Sequence, residues 1–319
     1  MQVSVGFPFL RLPVNATECI LECMDNSSIL IFSITSTRAT QLVANHNRQS
    51  EAIRINFGND IKLHVKTRGV FNLLVVFQPT RTNPLALNTY VQVDETVHSW
   101  VNTYFQLKNY ITHAMIVFNQ KSIEVEVLRG YLFPKDLVED QFRSLLELFG
   151  HAHEIWIQNS KLAIGTSLVS NYDCVKLGSM VFLFQNLQLN DLLSLNSKRI
   201  EITQSFKTPR YLNRFIKLWM NGINRRLKYL LVISNNQFAL SENSVLKGVQ
   251  KVEVGYEERN RIWMISNKFD SPEFQLTGAY KISANDGRQA TVVFKLTYGL
   301  SIVELIVGDF LTDNNFRLR

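Results

Sequence analysis

Apolar positions change their spacing along the chain, and the changes mark its elements. From Phe7 to about Ser50 they recur at short helical steps. Ile20, Leu21 and Met24 follow Leu12-Pro13, and Ile29, Leu30 and Ile34 follow Ser27 and Ser28, either of which can cap the second segment. At Ala52 the period falls to two. Ile53, Ile55 and Phe57, then Ile61, Leu63 and Val65, predict a β-hairpin turning at Gly58-Asn59-Asp60. Phe71 to Phe77 is an apolar run ended by Pro79, Thr80 to Asn88 reads as a loop, and Val97 to Phe118 reads as largely helical.

Strand-like and helix-like segments then alternate. Ile123-Val127 reads as a strand, Pro134 opens a helix that Gly150 stops, and Ile155-Trp156-Ile157 reads as the next strand. After a strand at Lys198–Thr203, Thr208-Pro209 starts a helix. Its Leu212, Phe215, Ile216 and Trp219 fall on one face, Arg210, Arg214 and Lys217 point away, and Gly222 ends it. Leu227–Ile233 follows as a strand. The order suggests a leucine-rich-repeat-like stack or a compact βα sheet, with units too irregular for a strict repeat. Phe274–Ser283 and Gln289–Leu296 alternate around Asn285-Asp286-Gly287, and Ser301–Val307 adds another strand, so the chain is expected to close in an antiparallel sheet.

Composition narrows this picture. With 319 residues, 46% of them hydrophobic and 19% charged, the chain has the length for about two folded units and is too apolar for global disorder. The net charge of +7 permits acidic partners without specifying nucleic acid. Cys19, Cys23 and Cys174 form no disulfide framework, and no leader or membrane span is legible, so a cytoplasmic or nuclear protein is expected. In that setting Asn15-Ala16-Thr17 and Asn26-Ser27-Ser28 are chance glycosylation sequons.

Chemistry leaves few marks. No Gly-rich phosphate loop, Gly-x-Ser-x-Gly elbow or His-Glu-x-x-His pair occurs, and no cofactor is expected. His151 and His153 lack further metal ligands nearby, and Cys19 and Cys23, four apart on one helical face, read as small hydrophobes. Between Lys198 and Lys228 nine basic residues accompany one acid, Glu201. Arg210, Arg214, Lys217, Arg225 and Arg226 form a candidate basic face. It reads first as a solvated surface, then as a site for an acidic protein, and last as a nucleic-acid site, because Phe215 and Trp219 stand where the helix needs core.

The string Phe7-Pro8-Phe9-Leu10-Arg11-Leu12-Pro13, with Ile20-Leu21, Met24-Asp25, Ile29-Leu30 and Ser36-Thr37-Arg38, resembles the F-box of the large nematode F-box families. Tyr211 to Gly222 and Arg226 to Leu230 resemble the type-2 F-box-associated domain of the same families. The resemblance implies an α+β protein. A three-helix F-box (residues 1–50) precedes a mixed α/β body (51–319), with an F-box-associated domain at about 185–255 and a C-terminal β-hairpin region at about 270–310. It implies a non-catalytic receptor of an SCF-type ubiquitin ligase, docked on a Skp-family adaptor and through it on a cullin, with the body holding a protein target. Carried over by position, Leu12, Pro13, Ile20, Leu21, Leu30 and Ile31 are the adaptor contacts or their immediate support. Asn15, Ala16 and Thr17 stand where these families carry larger aliphatics, and Asn26-Ser27-Ser28 replaces a proline-containing turn. The alternatives are a degenerate F-box on a stand-alone protein- or nucleic-acid-binding chain, and an enzyme whose groups lie on unrelated loops.

Overall fold

Pro13 sets the start of the first helix: with φ −55° and ψ 149° it stands outside the helical region, and its carbonyl accepts the Thr17 amide at 3.0 Å. The computed structural model describes residues 11–57, 61–67, 70–79, 87–93, 96–99, 107–121, 123–127, 152–157, 172–178, 189–203, 209–235, 240–266, 275–297 and 299–308. The chain divides into two units, residues 1–137 with 148–153, and residues 138–147 with 154–319.

In the first unit, three short helices, α1 (Val14–Cys23), α2 (Asn26–Ile34) and α3 (Thr37–His46), bury Leu21, Ile29, Leu30, Ile34, Ala39 and Val43. The cap of α2 is Asp25, whose carboxylate accepts the Ser28 amide at 2.7 Å, and not Ser27 or Ser28 as the sequence suggested. A cap must precede the first turn, and both serines lie inside it. Ser36 caps α3 by accepting the Ala39 amide. Thr40 Oγ1 donates to the Ser33 carbonyl at 2.7 Å and Arg48 Nη1 to Asn26 Oδ1 at 2.9 Å, which ties α3 and the chain beyond it to α2.

The strands of this unit are β1 (Ala52–Phe57), β2 (Ile61–Thr67), β3 (Val70–Pro79), β4 (Leu87–Val93), β5 (Thr96–Ser99) and β6 (Ile123–Val127). They form a sheet in the order β6-β1-β2-β3-β4-β5, antiparallel except for the parallel pair β1 and β6. Ile53, Ile55, Ile61, Leu63, Val65, Ile123 and Val125 are buried at alternate positions, while Arg54, Lys62, His64 and Glu124 take the other face. Helix α4 (Leu107–Val117) packs with α2 and α3. The helix expected over Val97–Phe118 is therefore confined to its second half. Val97 and His98 instead pair with Gln92 and Val91, because a cross-strand partner decides the state of a β-branched run that local pattern leaves open. Leu87 and Asn88 likewise belong to β4, paired with Pro79 and Gln78, and not to a loop. The Gly58-Asn59-Asp60 turn and the helix expected from Pro134 to Phe149 lie outside the described residues.

In the second unit, β7 (Ala152–Ile157, which enters the unit at Glu154), β8 (Cys174–Leu177), β9 (Arg199–Thr203) and β10 (Tyr229–Asn235) run parallel. β10 then pairs antiparallel with β14 (Leu300–Val307), β14 with β13 (Gln289–Thr297), β13 with β12 (Gln275–Ser283), and β12 with the two-residue β11 (Val252–Glu253). Helix α5 (Leu189–Ser194) leads into β9 and α6 (Pro209–Met220) into β10, while α7 (Glu242–Val245) packs beside α6 and α8 (Tyr256–Ser266) contributes Ile262 to the core. That core gathers Tyr229, Leu231, Ile233, Val254, Ala279, Val293, Ile302 and Ile306 on one sheet face. Among the described residues each unit thus combines helices with a mixed sheet, and the second unit carries its antiparallel strands after β10.

Candidate partner-binding surfaces

The residues expected to meet an adaptor divide between the surface and the core of the helical bundle. Pro13 is exposed, Leu12, Ile20 and Ile31 are half-buried, and Leu21 and Leu30 are fully buried. The last two can support a docking face but cannot form it. Sequence reading passed over Val14, which is 68% exposed at the start of α1. Cys19 and Cys23, expected as small hydrophobes of the core or of an interface, are exposed free thiols, which removes the core role. Thr17 is buried with its hydroxyl donating to the Pro13 carbonyl at 3.2 Å, so the bundle accommodates that polar position without an orphaned group. Between α3 and α4 lies an open groove of about 510 Å³, lined by Ala44, Asn47, Thr112, Met115, Ile116, Asn119 and Gln120.

Among the described residues, the basic segment separates into cations that face a carboxylate and cations that face none. Lys198 and Arg226 both reach Asp173, at 2.8 and 3.4 Å, and Arg199 pairs with Glu201. Arg226 therefore leaves the candidate basic face for an ion pair. Arg225 is exposed past the end of α6, where it and the Asp286 carboxylate flank Gly222. Arg210 and Arg214 are exposed and Lys217 half-buried. Their spacing of four and three residues sets them in one row, opposite the row of Leu212, Phe215, Ile216 and Trp219, which is fully buried. The first turn of α6 carries no acid. A cation there opposes the helix dipole, and Arg210 and Arg214 repel each other across one turn, at a cost of a few tenths of a kcal/mol each.

Two groups of contacts hold α6 in place. Asn213 Nδ2 donates to the carbonyls of Val245 at 2.7 Å and Lys247 at 3.0 Å. At the other end, Gly222 takes φ +94°, the Asn285 amide donates to the Met220 carbonyl at 2.8 Å, and Arg288 Nη2 donates to the Trp219 carbonyl at 3.2 Å. The Arg288 guanidinium also lies 4.8 Å from the centroid of the Trp219 ring. The turn between β12 and β13 thus caps the helix and places a cation at its negative end.

A second polar group crosses the face of the parallel strands. Lys176 meets Glu154 at 2.5 Å, in register with Glu201, which pairs with Arg199. Burial alone would lower the affinity of Lys176 and Arg199 for their protons, but Glu154 and Glu201 around Lys176, and Glu201 beside Arg199, hold both pKa values above their usual range. Burial, with Glu154 and Glu201 beside it, pushes the Cys174 thiol well above its ordinary pKa, which leaves it a poor nucleophile. Farther along, the Tyr229 hydroxyl donates to Glu304 at 3.2 Å and Lys295 Nζ reaches the same oxygen at 2.9 Å. Each charge is matched by its neighbour, so the row links strands and offers little net field to a partner. Among the described residues no three His, Cys, Asp or Glu side chains come together as metal ligands. His153 is exposed, and His151 lies outside the described residues. No helix among them is long and apolar enough to cross a membrane.

Residues 152–232 match a family model described as F-box associated. The matched stretch runs from the first residue of β7 into β10 and contains α5 and α6, about a quarter of the chain. It begins earlier and ends earlier than the expected 185–255, and it takes in β7, β8, β9 and β10 up to Val232, together with the cationic row of α6. No curated protein and no solved structure matches the chain.

Proposed function

We propose that the protein is the substrate-recognition subunit of an SCF-type ubiquitin ligase, of the form carried by the nematode F-box families. In this reading α1–α3 are the F-box and dock on a Skp-family adaptor, which links to a cullin. The body, with its helix-then-strand pairs as a leucine-rich-repeat-like stack, holds a protein target in the cytoplasm or nucleus. The receptor itself does no chemistry. The observation that carries the reading is the F-box-associated match downstream of three short N-terminal helices opened by Leu12-Pro13. Such helices bury little surface of their own, and an exposed aliphatic such as Val14 suits docking of helix on helix better than charge would.

Co-elution and calorimetry of the full chain with a Skp-family adaptor test this. Saturable one-to-one binding that depends on residues 1–50 supports the receptor. Absence of binding at high micromolar concentration favours the second reading, a stand-alone protein- or nucleic-acid-binding chain with a degenerate F-box, for which the departures at Asn15, Ala16, Thr17 and Asn26-Ser27-Ser28 speak.

A further inference from the structure

Among the described residues of the second unit, most cations are spent on partners. Lys176, Lys198, Arg199, Arg226, Lys251, Arg259, Lys281, Arg288 and Lys295 each face a carboxylate. Arg210, Arg214 and Lys217 face none among the described residues, although they share a helix whose opposite side is locked into the core. Lys217 lies beside Gly248, and the neighbouring Lys247 is exposed and also without an acid among the described residues, so the row continues onto the 245–248 loop that Asn213 holds against α6. The helix keeps this row despite the repulsion within it and the unfavourable dipole at Arg210. Such a local conflict is expected where a group is kept for binding.

We infer that the row Arg210, Arg214, Lys217 with Lys247 binds an acidic peptide segment in extended conformation. Along the helix axis the first two cations stand about 6 Å apart and the third about 4.5 Å farther. Alternate side chains of an extended strand repeat at about 6.7 Å on one side, so carboxylates at every second position can follow the row. Arginine at two of the sites adds paired donors suited to carboxylate. The row favours a peptide over nucleic acid because Phe215 and Trp219 are buried and, among the described residues, Tyr211, 38% exposed, is the one exposed aromatic of the helix, which offers no platform for successive bases. That the segment belongs to a ligase target rests on the receptor reading; the binding itself does not.

The test is fluorescence anisotropy with the full chain and three probes: a peptide of alternating Glu and Gly, a peptide of the same residues with all Glu in one block, and single-stranded oligouridylate RNA. The alternating peptide is expected to bind at least tenfold tighter than the block peptide, and the Arg210→Gln, Arg214→Gln, Lys217→Gln triple variant to lose at least tenfold. Lys228→Gln, an exposed cation outside the row, should stay within twofold. Equal binding of the two peptides, tighter binding of the RNA, or an unchanged triple variant overturns the inference. If circular dichroism shows the triple variant misfolded, Arg214→Gln alone decides, with a threefold loss expected and no loss contrary. Adaptor calorimetry on the same samples is separate. Adaptor failure with peptide binding intact overturns the receptor reading and leaves this one standing.

Discussion

Asn47 and Asn119 close adjacent helices in the same way and bond to each other: each has a positive φ, 49° and 48°, and Asn119 Nδ2 donates to Asn47 Oδ1 at 3.1 Å. Asn47 follows α3 and Asn119 follows α4, the helices that lead into the parallel strands β1 and β6. Gln120 Nε2 adds a bond to the Ser50 carbonyl at 2.7 Å, so the two helix-to-strand passages are fixed to one another. Asparagine enters the left-handed region more readily than other residues with a β-carbon. Asn47→Ala is expected to cost about 1–2 kcal/mol, from backbone strain and the lost bond. Asn47→Gly, which keeps the backbone and loses only an exposed bond, should cost under about 1 kcal/mol. Urea unfolding gives both; a glycine variant worse than the alanine variant would refute the conformational argument.

The docking face can be tested apart from bundle stability. Leu12→Ala with Val14→Asp alters half-buried and exposed positions only, and should weaken adaptor binding at least tenfold, about 1.4 kcal/mol, with unchanged circular dichroism. Leu21→Ala instead removes a fully buried side chain and should lower unfolding stability by about 2–4 kcal/mol, with or without adaptor. Introducing Asp at Leu21 would place a carboxylate in the bundle core and conflate the two effects. Full adaptor affinity in the Leu12, Val14 variant would move the docking face elsewhere.

What local pattern determines, the sequence disclosed. The buried face of α6 follows from a 3.6-residue period, and the β12–β13 hairpin from Asn285-Asp286-Gly287, where Gly287 takes φ +86°. What depends on distant partners was hidden. Asp25, Asn26, Ser27 and Ser28 are four successive capping residues, and packing of α2 chooses among them. β5 exists because β4 pairs with it. Arg226 leaves the basic face because Asp173, far back in the chain, reaches it and Lys198 together. One signal was available and unread: a tight hairpin from β13 to β14 sets Lys295 opposite Ile302 and so diagonal to Glu304. The Asn47 and Asn119 pair could be seen only once α3 and α4 lay side by side.

His64 makes the first unit sensitive to acid. It lies directly across from Arg54 in the register and follows Lys62 by two residues on the same face. Burial, then Lys62 and Arg54, lowers its pKa from 6.5 to about 4. The folded state thus disfavours the imidazolium that the unfolded chain forms at about pH 6.5. This contribution is present above pH 6.5 and is lost as pH falls toward 4, on the order of 2–3 kcal/mol. His64→Gln should flatten the stability profile across that window, measured by urea unfolding from pH 7 to 4. An equally steep profile would assign the acid sensitivity to other groups.

Lys295 and Glu304 form an ion pair with side-chain exposures of only 4% and 6%, and the Tyr229 hydroxyl donates to the same carboxylate oxygen. Taking two charges out of water offsets most of their attraction, so the pair adds little by existing and costs much when broken. Lys295→Met or Glu304→Gln alone leaves one charge buried without its counterion, and each is expected to cost about 3–5 kcal/mol. Lys295→Met with Glu304→Leu, apolar on both strands beside Val293 and Ile302, should be less destabilised than either single variant. Tyr229 supplies an independent check by pH. Burial, then the Glu304 and Glu201 carboxylates, raises its pKa well above 10. The unfolded phenol ionises near pH 10, so stability is present below that pH and falls as pH climbs toward the higher folded value. Tyr229→Phe removes the titrating group and should shrink that alkaline loss, while Glu304→Gln, which removes the nearest carboxylate, should reduce it in part. A double variant weaker than both singles would show that the pair contributes specific stability beyond the burial of its charges.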